Sequence, residues 1–397
     1  MSDLKWCENK MPKTADKNLP IMSTEEVKKA KAFHESFPQY SNTPLAELKE
    51  MSKYLGLGII KVKDESYRFG LNAFKVLGGS YSMARYIAQK MGKDVSEFPY
   101  NVLVSKKLKE EFGQATFFSA TDGNHGRGVA WTANKLGQKC VIFMPKGTTE
   151  TRLKNIQAEE ATATIEEYNY DECVRMAAEA ASKVENGVVV QDTAWEGYEE
   201  IPAWIMQGYG TMAIEADEQF GEKPTHVFVQ AGVGSLAGAI VGYFSNKYKD
   251  NPPKMIVVEA SAAACLYKGA VAGDGNIRIV DGDLNTIMVG LACGEPNITS
   301  WDILKNHVDC FISAEDIVAV RGMRMLSAPL KGDTQVVSGE SGAAPFGALA
   351  TIMLNDEYSE LRKKLDLNSN SKVLLFSTEG DTDPQRWKNI IWEAKDR

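Results

Sequence analysis

Residues 115–128 read Ala115-Thr116-Phe117-Phe118-Ser119-Ala120-Thr121-Asp122-Gly123-Asn124-His125-Gly126-Arg127-Gly128. An apolar run gives way to a loop of small and polar residues, and a helical pattern then covers 126–136. A short strand, a glycine-bearing loop and a helix form the repeating unit of a parallel sheet with helical crossovers. The same order recurs at Val227-Phe228-Val229-Gln230-Ala231-Gly232-Val233-Gly234-Ser235-Leu236-Ala237-Gly238. Further strands are predicted at 59–62, 140–144, 162–165, 188–191, 255–258, 310–312 and 373–377, and helices at 23–37, 171–184, 204–218, 237–247 and 314–326. The fold class is α/β, with open parallel-type sheets flanked by helices. Functional residues are expected just beyond the carboxyl ends of strands, where ligands bind in such sheets.

Composition bounds the function. A chain of 397 residues suggests two or three domains. Lys and Arg number 45 against 53 Asp and Glu, a net charge of −8, which offers no global attraction to nucleic acid or anionic membranes. No stretch approaches the roughly 18–20 apolar residues of a membrane span. The N-terminus carries charges where a signal peptide needs an apolar core, so a cytoplasmic location is expected, and the first ~20 residues, being polar, are expected to be peripheral. The six cysteines (7, 140, 173, 265, 293, 310) include no Cys-x-x-Cys, and the four histidines show no ligand spacing, so no metal site is expected. Reduced thiols fit this pattern, and pairing of Cys265 with Cys293 stays open. There is neither a P-loop nor a dinucleotide fingerprint, which disfavours a nucleotidase and a nicotinamide dehydrogenase.

Two features carry chemistry. Lys75 stands among Phe74, Val76 and Leu77. A lysine partly buried there has its ammonium form disfavoured and becomes an amine nucleophile; a snorkelling surface lysine is the plainer alternative. Gly232, Val233, Gly234, Ser235 and Leu236 open a helix, and successive N–H groups at such a start suit a phosphate. Close helix–sheet packing is the alternative there.

Five blocks, in order, extend the picture: Arg68-Phe69-Gly70-Leu71-Asn72-Ala73-Phe74-Lys75; Asp122-Gly123-Asn124-His125-Gly126-Arg127-Gly128-Val129-Ala130-Trp131; Gln191-Asp192-Thr193-Ala194-Trp195-Glu196-Gly197-Tyr198; Gly290-Leu291-Ala292-Cys293-Gly294-Glu295-Pro296; and Ser377-Thr378-Glu379-Gly380-Asp381-Thr382-Asp383. With the glycine loop they resemble the fold type II pyridoxal-phosphate enzymes, the family of the tryptophan-synthase β-subunit, and within it the diaminopropionate ammonia-lyases. The resemblance spans about residues 40–385.

The resemblance implies pyridoxal 5'-phosphate in an interdomain cleft, joined to Lys75 as a Schiff base. Loop 232–236 would hold its phosphate and Asn124 would face its 3′-oxygen. Ser377 or Thr378 would meet the pyridine nitrogen, with Ser377 preferred. Asp122 and Asp192 are the candidate bases, on opposite faces of the substrate, for the D- and L-isomers of 2,3-diaminopropionate respectively. Helix capping is the structural alternative for both. The implied reaction is α,β-elimination to pyruvate and two ammonia; serine/threonine dehydratase or cysteine desulfhydrase-like chemistry on the same fold is the rival. The resemblance further implies a homodimer, a large domain of residues 1–88 and 193–397, and an inserted small domain of 89–192. His125 is read as loop-orienting, the 338–342 turn as structural and the tryptophans as core.

Overall fold

A computed structural model describes residues 2–121 and 123–393. The strands are β1 (Leu4–Glu8), β2 (Leu45–Glu47), β3 (Ile59–Asp64), β4 (Thr116–Ala120), β5 (Lys139–Met144), β6 (Thr162–Ile165), β7 (Gly187–Val189), β8 (His226–Gln230), β9 (Lys254–Ala260), β10 (Cys310–Ala314) and β11 (Lys372–Ser377). They form a seven-stranded sheet in the order β1-β10-β9-β8-β11-β3-β2 and a four-stranded sheet in the order β6-β5-β4-β7. Pairing is parallel except where the edge strands β1 and β2 meet β10 and β3.

The parallel core follows from composition. β8, β9, β10 and β11 are almost wholly buried, as near-continuous Val, Ile and Phe runs require when helices cover both faces. Successive side chains feed opposite faces. Val227, Val257, Phe311 and Leu374 join one apolar cluster, whereas Phe228, Ile256, Ile312 and Val373 join a second. The first continues through the helices Val76–Lys90 and Glu200–Phe220 to Phe117, Ile142 and Val188 of the smaller sheet. These two helices cross as closely as glycine permits: a Cβ on Gly208 would lie 2.4 Å from the Leu77 carbonyl oxygen.

Every strand read from the sequence is present, and two more appear. The N-terminal segment is not merely peripheral, because β1 closes the sheet edge against β10 and buries Leu4. Its apolar residues are too few to outweigh the surrounding polar ones in a sequence reading. The first helix runs Thr24–Glu35, with Ser23 Oγ accepting from the Glu26 N–H at 3.3 Å. The helix expected at 204–218 begins earlier, at Glu200, because Pro202 is tolerated in a first turn that needs no N–H partner.

Candidate active site

Lys75 is placed by the chain that follows β3. Arg68 is buried there, its Nε donating to Glu65 at 2.8 Å and its Nη2 to Glu215 at 2.8 Å. Lys63 Nζ pairs with the same Glu215 at 2.7 Å, so two cations and two carboxylates neutralise one another out of water. The next residue, Phe69, takes a left-handed φ of 49°, its ring stacked on Trp131 at 5.6 Å. The chain is then fastened to the loop after β11. Phe74 N–H donates to Thr378 O at 3.1 Å, and Gly380 N–H to Asn72 O at 3.0 Å. Lys75 follows as the N-cap of the helix Val76–Lys90.

Asp192 comes from the other sheet, just past β7, and is buried. Its Oδ2 pairs with Lys75 Nζ and accepts from the Tyr209 hydroxyl at 3.2 Å. Burial by itself would raise this carboxyl, but the charges of Lys75 and His125 and the bonds from Lys75 and Tyr209 hold it well below the usual range. These partners favour the carboxylate form of Asp192. Its backbone carbonyl accepts from Ser235 Oγ, which accepts from Asn297 Nδ2 at 2.8 Å, so the aspartate loop is bonded to the glycine loop. His125 Nε2–H donates to the Val190 carbonyl at 2.8 Å, an orienting role that ties the loop after β4 to β7.

The glycine loop follows β8. Gly234 adopts a φ of 103° as N-cap of the helix Ser235–Tyr248, and a Cβ there would come within 2.8 Å of Ser300 Oγ. The first turn leaves the N–H groups of Ser235 and Leu236 without intrahelical acceptors, at the positive end of the helix. Beside it, Gln230 at the end of β8 donates through Nε2 to Thr378 Oγ1 at 2.7 Å, pinning the ends of β8 and β11 together. Gln191 does the same in the smaller sheet, its Oε1 accepting from Ser119 Oγ and the Ala120 N–H. Asn124 Nδ2 donates to Glu379, whose other oxygen accepts from the Ser341 N–H at 3.1 Å.

These groups surround one cavity. Lys75, Asn124, Asp192, Thr378 and all five residues of the glycine loop line it. Asp122 lies outside the described residues. Ser377 does not line the cavity: its hydroxyl donates to Ser338 Oγ at 2.8 Å, in the buried interior. Alternation at the end of β11 sends the two hydroxyls to opposite sides, so of the pair Thr378, and not the preferred Ser377, lines the cavity. Sequence reasoning missed Tyr209 and Gln230. Gln230, a polar residue ending an apolar strand, was the available signal; Tyr209, within an apolar helix, offered none. An adjoining outer cavity shares Val233 and is lined by Glu295 and by half-buried Trp195, which also packs against the apolar cluster of the smaller sheet.

The donor set suits a phosphorylated, polar, flat cofactor. Among the described residues, Ser341 Oγ and Gln230 Oε1 are buried without a hydrogen-bond partner, and both residues line the cavity. The amide cradle that a side chain at Gly234 would disturb completes the fit. Cys265 and Cys293 are free thiols. Among the described residues no three His, Cys, Asp or Glu cluster as a metal site, and no helix is long and apolar enough to cross a membrane.

The chain matches the model of the pyridoxal-phosphate dependent enzyme family over residues 37–379. It is 51% identical over 369 residues to a diaminopropionate ammonia-lyase of Salmonella typhimurium, covering 92% of this chain and 91% of that one. It superposes with a TM-score of 0.91 on the diaminopropionate ammonia-lyase of Escherichia coli in complex with D-serine, at 42% identity and covering 99% of this chain and 98% of that one. The TM-score is 0.89, with the same identity and coverage, for the Escherichia coli enzyme in complex with an aminoacrylate-PLP azomethine reaction intermediate.

Proposed function

The chain belongs to the pyridoxal-phosphate-dependent enzymes and, within them, to the diaminopropionate ammonia-lyases, and from that premise we propose that it eliminates ammonia from 2,3-diaminopropionate through Lys75, Asp192 and Asp122. One observation carries the reading: a buried carboxylate is paired with the lysine inside the cavity that the glycine loop and Thr378 also line. A carboxylate there suits a substrate with a second, cationic amine.

Pyridoxal phosphate, when bound, supplies the electron sink that stabilises negative charge at the substrate's Cα. Lys75 Nζ would hold the cofactor, and as a free amine it can carry a proton. The amides of Gly232, Val233, Gly234, Ser235 and Leu236 would hold the phosphate, and Asn124 the ring oxygen. Thr378 would meet the ring nitrogen as a neutral donor: Gln230 donates to its Oγ1, which leaves the hydroxyl proton for an acceptor in the cavity. Asp192 takes the Cα proton of the L-isomer and Asp122 that of the D-isomer. The β-amine must leave protonated, and Lys75 or a protonated carboxyl delivers that proton. The released aminoacrylate hydrolyses to pyruvate and the second ammonia.

Residues 1–88 and 193–397 are assigned to a large domain and 89–192 to a small inserted one. Support comes from the four-stranded sheet, which draws only on strands between Thr116 and Val189. A homodimer in the cytoplasm completes the reading, supported by the family resemblance and, for the compartment, by six free thiols.

Borohydride reduction of the cofactor-loaded enzyme, followed by peptide mapping, is expected to yield a cofactor-modified peptide containing Lys75. A substrate panel is expected to give pyruvate from diaminopropionate. Efficient turnover of serine, threonine or cysteine without diaminopropionate would overturn the choice in favour of the rival lyases. Serine binding alone decides nothing, since the Escherichia coli relative is seen with D-serine.

A further inference from the structure

We propose that Tyr209 is a positioning residue for Asp192, its hydroxyl holding that carboxylate in place when Lys75 leaves it. The inference rests on the reading that Lys75 and Asp192 act in the reaction. Tyr209 is fully buried, and its hydroxyl lies 3.2 Å from Asp192 Oδ2, the oxygen that Lys75 also engages. A lysine that bonds a cofactor and then a proton cannot stay a constant partner for that oxygen. Tyr209 can: although Lys75 Nζ lies 5.9 Å from its ring centroid, the ring is also held by contacts that do not involve that ammonium. Its ring packs on Phe74 at 4.7 Å, and Gly78 lies so close that a Cβ there would come within 2.6 Å of the ring. Its helix is anchored on either side of the next turn, by Thr211 Oγ1 on His34 at 2.7 Å and by Glu215 on Arg68 and Lys63.

The other titratable groups facing Asp192 are otherwise engaged. His125 Nε2–H is spent on the Val190 carbonyl, and the Tyr198 hydroxyl donates to the Val189 carbonyl at 2.9 Å. Burial, with Asp192 beside it, pushes the Tyr209 phenol well above its ordinary value, so it stays a donor throughout the working range.

Tyr209→Phe keeps the ring and loses only the oxygen. In the cofactor-free Lys75→Ala chain the ammonium is gone, and carboxyl-13C NMR follows the titration of Asp192, assigned by its loss in Asp192→Asn. Adding Tyr209→Phe is expected to raise the midpoint by roughly one pH unit, the size of a hydrogen bond to a charged group. An unmoved midpoint overturns the proposal. If the Lys75→Ala chain does not fold, the loaded Tyr209→Phe enzyme decides. Its acid limb in kcat/KM should move up and kcat should fall ~10-fold with KM nearly unchanged. A lower kcat with the limb unmoved marks a merely structural role and overturns the inference. Should diaminopropionate not be turned over at all, the functional reading fails while the NMR titration still tests Tyr209.

Discussion

A carboxylate buried against a lysine persists only if each charge compensates the other and the remaining lone pairs are bonded. Asp192 meets both conditions, through Lys75 and Tyr209. Exchange for asparagine keeps the shape and removes the charge, so Asp192→Asn should fold while losing its capacity as a base. Turnover of L-diaminopropionate is expected to fall about 10²–10⁴-fold, the span usual for a lost general base. Turnover of the D-isomer, assigned to Asp122, should persist, and steady-state kinetics on the separate isomers checks this. Equal loss on both isomers would sink the division of labour. At this scale the sequence marked Lys75, Asp192 and the glycine loop through their motifs. It favoured Ser377 over Thr378 with no firm basis, because adjacent hydroxyls differ only in the side of the strand end they face.

Elements place those residues by approaching closely. The helices Val76–Lys90 and Glu200–Phe220 meet at Gly78 and Gly208, and that contact sets the ring of Tyr209. The backbone carbonyl of Leu77 cannot swing aside as a flexible side chain can. Gly208→Ala is therefore expected to cost about 1–3 kcal/mol, as overpacked cores do, read as a lower urea midpoint with an unchanged slope. Elements with a clear pattern were legible, such as the helix Thr24–Glu35 with its Ser23 cap. Those without one were not. The helix Glu340–Leu354 is buried nearly all round and contains Pro345, so it shows neither an amphipathic stripe nor an uninterrupted run. β2, at three residues, is shorter than any periodicity can register.

Over the whole molecule, the loops after β3, β4, β7, β8 and β11 open on one cavity, which therefore depends on both sheets keeping their places. His34 is one of the ties beneath it. Buried, it donates through Nε2 to the Leu77 carbonyl at 3.0 Å and accepts at Nδ1 from Thr211, linking three helices. Burial and then the Arg68 charge push it down to about 3. Protons thus bind the unfolded chain first, so the stability His34 contributes is present above its ordinary value of 6.5 and is lost as pH falls from there toward about 3. Urea unfolding of the cofactor-free chain should show a loss of about 1 kcal/mol between roughly pH 6.5 and 5.5. His226, also depressed by burial, adds to the slope, and His34→Asn should flatten it. By itself the sequence determined the alternation of strand, loop and helix, the family and the residue types the chemistry needs, because these are properties of neighbours along the chain. Only the tertiary structure decided that Lys75 meets a carboxylate 117 residues away, that Thr378 rather than Ser377 faces the cavity, and that Tyr209 stands behind Asp192. Those are contacts through space, fixed by how closely two helices pack and by which side of a strand end each side chain leaves.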